Sequence, residues 1–492
     1  MAGFATTGGS RLVIHPSTVL VCFAPVALVL VVGGLLAQPV AVACCLAVAA
    51  MVLAVSCREY AAIMLLVFIP LDVYLDPIFV SELLLACIGV GMVAGWIAGG
   101  RRSGVGFGRI VVLLYACAVT LSLIANPVSS TGLKDVTKSL LYALAFWLGS
   151  DLEISETFVL RFVKAFALLS GMAAAYGLWQ FIGGSDAKFL DTVLNIHPTE
   201  SFLGTADLPR AHSTFRYVLQ YGQFLCVSGV VLIAWVTRGP RSGRKTMIMT
   251  LVLIVTALVF TFARSAWAGF VGAIVLLFLS GSQTWRKRAV IAFSVLAVVT
   301  TLFLAGSVTS GTIGGSVLDL RGDLLRVQLW FEGSQLIMRH PWLGVGPGNL
   351  GAQMPALSFW GKRTSVLSLE NMYLTCAAET GIPSLILMVI LLFRTVWIGL
   401  TMSEQASNVA YRALAAGISV GVVSQMITGM TDPILPAAQN GILLFLMMGL
   451  QEAIFRFNGG CPSKDARGVA NLWQVGGDVI PAGVNSASTG HP

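Results

Sequence analysis

Apolar runs recur from one end of this 492-residue chain to the other, and a run of ~17 to 25 residues is long enough to cross the ~30 Å of bilayer hydrocarbon as a helix. A backbone inside hydrocarbon must satisfy its own polar groups, which narrows the choice to helices or a closed barrel. A barrel needs ~10-residue segments of alternating polarity, and the sequence contains none. The expected fold class is an all-α polytopic membrane protein of about 12 to 14 transmembrane helices. Composition agrees: 57% of residues are hydrophobic, only 11% are charged, and the mean hydropathy is +0.86. These values exclude an ordinary soluble core.

In chain order the expected spans are 18–36, 40–56, 60–74, 78–98, 109–125, 138–149, 159–182, 217–236, 247–262, 267–279, 289–304, 383–400, 413–430 and 437–454. They form one transmembrane domain over residues 1–456, with long polar loops at about 183–215 and 306–380. Residues 457–492 read as a disordered tail. The nine cysteines fall mostly inside apolar runs, where the thiol behaves as a small hydrophobe. No Cys/His spacing matches a zinc site, so neither a metal nor a cofactor is expected.

The net charge of +8 is dispersed over short loops, which argues for membrane orientation and against nucleic acid as a partner. If both termini are cytoplasmic, every dense basic cluster is inside: Arg101 with Arg102, the run RGPRSGRK, and the run TWRKR. Both long polar loops then face outward. Six arginines lie on that disfavoured outer side: Arg210, Arg216, Arg264, Arg321, Arg326 and Arg339. A single arginine at a helix end snorkels to headgroups, but six on the side that topology disfavours call for another reason. A guanidinium fork grips phosphate bidentately and keeps its charge, so the group suits a phosphate-bearing substrate anchored in lipid.

Other residues have plainer readings. Arg326 has Asp323 one helical turn away as a partner. His340 precedes Pro341 and reads as a helix-terminal residue with a lesser claim to catalysis. Asp72 and Asp76 read as turn residues. The GVGPG run from Gly344 to Gly348 lacks the strand and helix of a phosphate loop, so a turn is expected. Trp267 and Trp330 are expected at the membrane interface.

Three stretches, FTFARSAWAGFVGAIVLLF, HPWLGVGPGNL and ENMYLTCAAETGI, occur in this order with one more span and an amphipathic segment between the first two. This series resembles the O-antigen ligase and polymerase superfamily of bacterial envelope enzymes, from Arg210 to the last span. The resemblance implies a C-type, metal-independent glycosyltransferase at the outer face of the inner membrane. Its substrates would be an undecaprenyl-diphosphate-linked glycan donor and a glycan acceptor, with a chain-length regulator as a further partner. By the same analogy Arg264 and one or both of Arg321 and Arg326 hold the diphosphate, and the residue before Asn371 is the base; Arg210 and Arg216, from the outer arginine group, are further candidates for the diphosphate. Ligases carry histidine there, whereas this chain has Glu370, followed by Asn371, Tyr373 and Leu374.

Attack of a sugar hydroxyl on an anomeric carbon needs a base for the proton and positive charge for the departing diphosphate. Glu370 and the arginines meet those needs. The expected function is polymerisation of lipid-linked repeat units into O-antigen, exopolysaccharide or capsule. Ligation of a finished glycan to lipid A core or to protein is the alternative. A flippase of lipid-linked glycan would instead place its ionisable residues near mid-membrane. The charge count makes a topological prediction. Single cysteines at Ser242 and Ser282 in a Cys-free background should react with an impermeant thiol reagent only from the cytoplasm, and those at Ser201 and Ser358 only from outside; outside labelling at Ser242 would reverse the orientation.

Overall fold

The computed structural model describes residues 39–70, 74–75, 78–97, 106–183, 202–203, 208–280, 320–354, 357–359, 362–364, 368–433 and 438–458. The spans expected at 18–36 and 289–304, Asp72 and Asp76, and nearly all of the tail lie outside the described residues. The described part is helical apart from three antiparallel ribbons with strands of two or three residues. These pair Tyr74–Leu75 with Ile78–Phe79, Phe202–Leu203 with Leu208–Pro209, and Leu357–Phe359 with Lys362–Thr364.

The helices are α1 (Pro39–Ser56), α2 (Arg58–Phe68), α3 (Val80–Ile97), α4 (Phe107–Ala125), α5 (Ser130–Asp151), α6 (Glu156–Gly183), α7 (Val218–Arg238), α8 (Arg244–Val259) and α9 (Arg264–Leu279). They continue with α10 (Leu320–Arg339), α11 (Leu350–Gln353), α12 (Met372–Thr380), α13 (Ile382–Gln405), α14 (Val409–Thr428) and α15 (Ala438–Phe457). Seven of them, α3, α4, α6, α7, α13, α14 and α15, have the length and apolarity to cross a membrane. The chain is a multi-pass membrane protein.

Burial sorts these helices into a centre and a ring. Within their most apolar windows α7, α14 and α15 are 83%, 78% and 89% buried, whereas α13 is 39% buried and α3 and α4 are each 50% buried. A helix apolar all round is sheltered on every side by protein; one that exposes apolar side chains in a membrane protein turns them to lipid. Small residues let the central backbones meet. Helix α5 lies along α15, where a Cβ on Gly449 would come 2.1 Å from the Phe146 carbonyl oxygen and one on Gly149 2.4 Å from that of Leu446. Lipid tails supply no hydrophobic drive between helices, so such close approach is what holds them together.

The helix ends fall on two faces. On one, Arg109 at the start of α4 binds Asp151 at the end of α5 at 3.1 Å, and Arg58 at the start of α2 pairs with the same carboxylate. Arg456 donates to the Ser150 carbonyl at 2.5 Å, and Arg394 holds Glu452 through two bonds of 2.5 and 3.1 Å. Arg109 and Asp151 are both buried, and removing one partner of such a pair costs about 3–5 kcal/mol because the other is left uncompensated. This arginine face clamps five helices. The opposite face holds the cavity.

Two boundaries differ from the expected ones with consequences for the site. Ser129 caps α5 by accepting from the Gly132 N–H at 3.0 Å, so the polar run before residue 138, expected as a loop, is the helix's first two turns. Residues 372–380, expected within an outer loop, form α12 and pack on α13 and α10. The glycine contacts predict that Gly449→Val, which has no room between α5 and α15, lowers stability by roughly 1–3 kcal/mol or more. Gly421→Ala, whose nearest neighbour is an ordinary 3.4 Å away, should leave the melting temperature in detergent unchanged.

Candidate functional site

The site begins with a turn. After α10 the segment Pro341–Asn349 folds against the C-terminal end of α12: the Val345 N–H donates to the Ala378 carbonyl at 2.9 Å and the Gly346 N–H to the Glu379 carbonyl at 3.0 Å. The Gly348 N–H then donates to Oε1 of Glu379 at 3.1 Å. From α4, Ser122 donates to the Leu343 and Glu379 carbonyls at 2.6 and 2.9 Å. Gly344 and Gly348 have φ of +63° and +69°, and a Cβ there would lie 2.4 Å from Glu379 backbone and 2.6 Å from the Gly132 nitrogen. The GVGPG run is the turn expected from its sequence, and its glycines allow three elements to close on one another.

Helix α12 is started by Asn371, whose side-chain oxygen accepts from the N–H groups of Tyr373 and Leu374 at 2.9 and 3.0 Å. Its amide donates to the Met430 carbonyl at 2.7 Å, and the Tyr373 hydroxyl donates to that of Met426 at 3.0 Å. Asn371 and Tyr373, secondary candidates for the chemistry, thus form the cap and tether of this helix. Just outside the cap stands Glu370, half-buried, with φ of +49°. A non-glycine residue in that region is strained, and strain of this kind concentrates where function requires a fixed side chain.

Glu370 lines a cavity of about 550 Å³, a volume in the range of small-molecule sites. Its wall includes Arg216, Gln220 and Gln439, together with Asp135, Lys138, Glu379 and Asp432. Asp135 and Lys138 pair at 3.6 Å one turn apart on α5. Burial pushes the Glu379 carboxyl up to about 8, with the Asp135 charge adding to the rise and the Gly348 N–H and Lys138 opposing it. Burial raises the Asp135 carboxyl as well, with Lys138 opposing the rise, so the site holds in Glu379 an acid kept neutral near pH 7 by its surroundings. Among the described residues no three His, Cys, Asp or Glu side chains converge as metal ligands.

The arginines separate into groups. Arg216 lines the cavity and lies over the Tyr217 ring at 5.7 Å. Arg326 on α10 has Nη2 3.9 Å from Asp432, which is buried in the cavity wall and also accepts from Ser265. Arg326 thus reaches Asp432 of another element; the Asp323 side chain, one helical turn away, lies outside the described residues. Arg264, exposed, opens α9 beside Ser265, and Arg210 donates from Nε to the Thr261 carbonyl at 3.0 Å in the turn before it. The contacts Arg210–Thr261 and Ser265–Asp432–Arg326 thus link this turn to the cavity wall. Arg321 lies in the first turns of α10; its side chain is outside the described residues. Arg339 and His340 are exposed at the far end of α10, about 20 Å from Arg326 at 1.5 Å per residue, and neither lines the cavity.

Both tryptophans named from the sequence are half-buried and bonded: Trp330 Nε1 donates to the Leu369 carbonyl at 3.0 Å and Trp267 Nε1 to that of Leu258 at 2.9 Å. Sequence reasoning also left Asp135, Lys138, Glu379 and Asp432 without roles. Their signal was the rarity of ionisable residues in or beside apolar helices, which marks function by default.

These features define a polytopic helical membrane protein with a polar, substrate-sized cavity at one face. Residues 249–389 match the family described as O-Antigen ligase. An O-antigen ligase of Pseudomonas aeruginosa is 30% identical over 126 residues, a stretch covering 26% of this chain and 28% of that relative. Both findings support a likeness to the O-antigen ligase and polymerase superfamily; the matched segment runs from α8 through α12 into α13, and the chain matches 28% of that relative's length.

The raised Glu379 carboxyl has a linkage consequence. Its folded value of about 8 exceeds the ordinary 4.5, so the unfolded chain binds fewer protons in that window and stability falls as pH rises from about 4.5 to about 8. Glu379→Gln, neutral throughout and still able to accept from Gly348, should flatten this part of the melting-temperature profile. An unchanged pH slope in the variant would show that other groups carry it.

Proposed function

We propose that this protein is a membrane glycosyltransferase that polymerises undecaprenyl-diphosphate-linked oligosaccharide repeat units. The observation that carries the reading is the cavity at one membrane face, with a strained carboxylate, Glu370, on a wall that also includes Arg216. Glu370 accepts the proton of the acceptor sugar hydroxyl as its oxygen bonds to the anomeric carbon of the donor. The bond from that carbon to the diphosphate oxygen breaks, and the diphosphate leaves on its lipid. Arg216 and Arg264, with Arg326 beyond Asp432, offset the charge that develops on it. Guanidinium groups thereby take the part a divalent cation has in other diphosphate chemistry.

The cavity face is assigned to the periplasmic side of the inner membrane, with both termini cytoplasmic. The support is charge: Arg58, Arg109, Arg394 and Arg456 gather on the opposite face, as the positive-inside tendency favours for a cytoplasmic surface.

A second reading, transfer of a finished glycan to lipid A core or protein, is favoured by the name of the matched family and of the Pseudomonas relative. Glu370 in place of the ligase histidine favours the polymerase. Incubating purified protein with a lipid-linked oligosaccharide separates them: a ladder on the lipid means polymerisation, a single transfer to an added acceptor means ligation, and no transfer overturns both. In whichever assay is active, Glu370→Gln should lower single-turnover rate by roughly 10²- to 10⁴-fold with donor binding and folded yield kept. Arg216→Lys and Arg264→Lys keep charge but lose the fork, so donor affinity and rate should fall together. Normal turnover in Glu370→Gln would sink the assignment of the base.

A further inference from the structure

Helix α10 has three faces where a helix at the surface of a soluble protein has two. At about 100° per residue, Leu329, Gly333, Leu336 and Ile337 fall together, and this face is buried against Leu369, Ala377 and Ala378. A second face carries Gln328, Glu332, Gln335 and Arg339, with Gln328 donating to Glu332 at 3.1 Å. Between them lies a third, where Val327, Phe331 and Met338 fall within about 60° of one another, with Ser334 among them. Val327 is 57%, Phe331 64% and Met338 80% exposed. A large apolar stripe without cover marks a surface that is covered in use.

We infer that this stripe lies in the phospholipid interface of the leaflet on the cavity side, so that α10 runs along the membrane surface as an interfacial helix. The argument is continuity with lipid-facing protein. Helix α13, the least buried of the seven spans, exposes Ile386, Phe393 and Trp397, which face lipid because the helix crosses the membrane. Its first residue, Ile382, donates its N–H to the Pro341 carbonyl at 2.8 Å, two residues past the end of α10. At this junction Trp342 is 76% exposed, at the depth where an indole is favoured between apolar core and headgroups. Arg339, at the end of the polar face, is placed for headgroup phosphates.

This placement requires only that the chain spans a membrane. Its consequence for the donor rests on the proposed function: the buried side of α10 carries Arg326 to Asp432, so a helix held at headgroup depth sets the cavity mouth at the level where a lipid-borne diphosphate arrives.

The test uses the full chain with p-benzoylphenylalanine in place of Phe331, Met338, Gln335 or Arg339, one at a time, in nanodiscs of phosphatidylethanolamine and phosphatidylglycerol. All four positions are exposed, so a folded yield equal to the parent is expected and is checked by melting temperature. On illumination, probes at Phe331 and Met338 should give phospholipid adducts by intact mass, with none above background at Gln335. Arg339, at the rim, should give fewer than Met338. Equal adducts at Phe331 and Gln335, no lipid adduct at Phe331, or crosslinking of Phe331 to a second copy of the chain would each overturn the placement. Loss of transfer activity in the Glu370 series would leave it untouched, since the readout is a lipid contact and not turnover.

Discussion

The docking of the turn at Gly344–Gly348 onto the end of α12 is the contact on which the site depends. It is almost entirely a backbone affair: two N–H groups reach the carbonyls of Ala378 and Glu379, a third reaches the Glu379 side chain, and Ser122 of α4 closes the set. Away from water each of those groups is costly to leave unpaired, so the three elements hold together or fail together. That is why the run carries glycine where the chain turns left-handed and presses against a neighbouring backbone. The same contact aims α12, and with it Glu370 at its start, toward the cavity.

The two faces of the bundle divide their work. On one, the charged groups are matched to each other: Arg58 and Arg109 share Asp151, and Arg394 holds Glu452. On the other, acidic and basic residues from α5, α12 and the segments just before α7, just before α12 and just after α14 are set around open volume. Matched ion pairs brace helix ends against sliding, whereas charge arranged around a cavity of this size is suited to a ligand. In the proposed reaction Arg216 and Glu370 share the cavity wall, so the diphosphate and the acceptor hydroxyl are held in one volume.

Several residues turned out to have structural duties that their motif did not announce. Asn371 and Tyr373 flank Glu370 in sequence, but the first caps α12 and the second ties it to α14. Glu379 combines both roles, since it anchors the glycine turn and lines the cavity. Residues that hold the site together thus stand beside Glu370 in the same motif, which makes the motif a poor guide to which of its members faces the cavity.

Sequence by itself determined the class of fold, most of the helical spans and the grouping of the basic residues, because hydrocarbon length and charge sign act locally and leave a readable period; it also singled out Glu370 and Arg216, both of which line the cavity. It mistook the start of α5 for a loop, since a polar run before an apolar one looks the same whether coiled or helical, and so overlooked Asp135 and Lys138. Which arginines approach the cavity, that Arg326 meets Asp432, that Trp267 and Trp330 bond to the Leu258 and Leu369 carbonyls, and that Arg339 and His340 stand apart were decided only by tertiary structure. Those facts depend on how distant helices cross, and crossings are set by small-residue contacts such as Gly149 with Leu446 and Gly449 with Phe146, whose partners lie about 300 residues away and leave no pattern in the sequence between them.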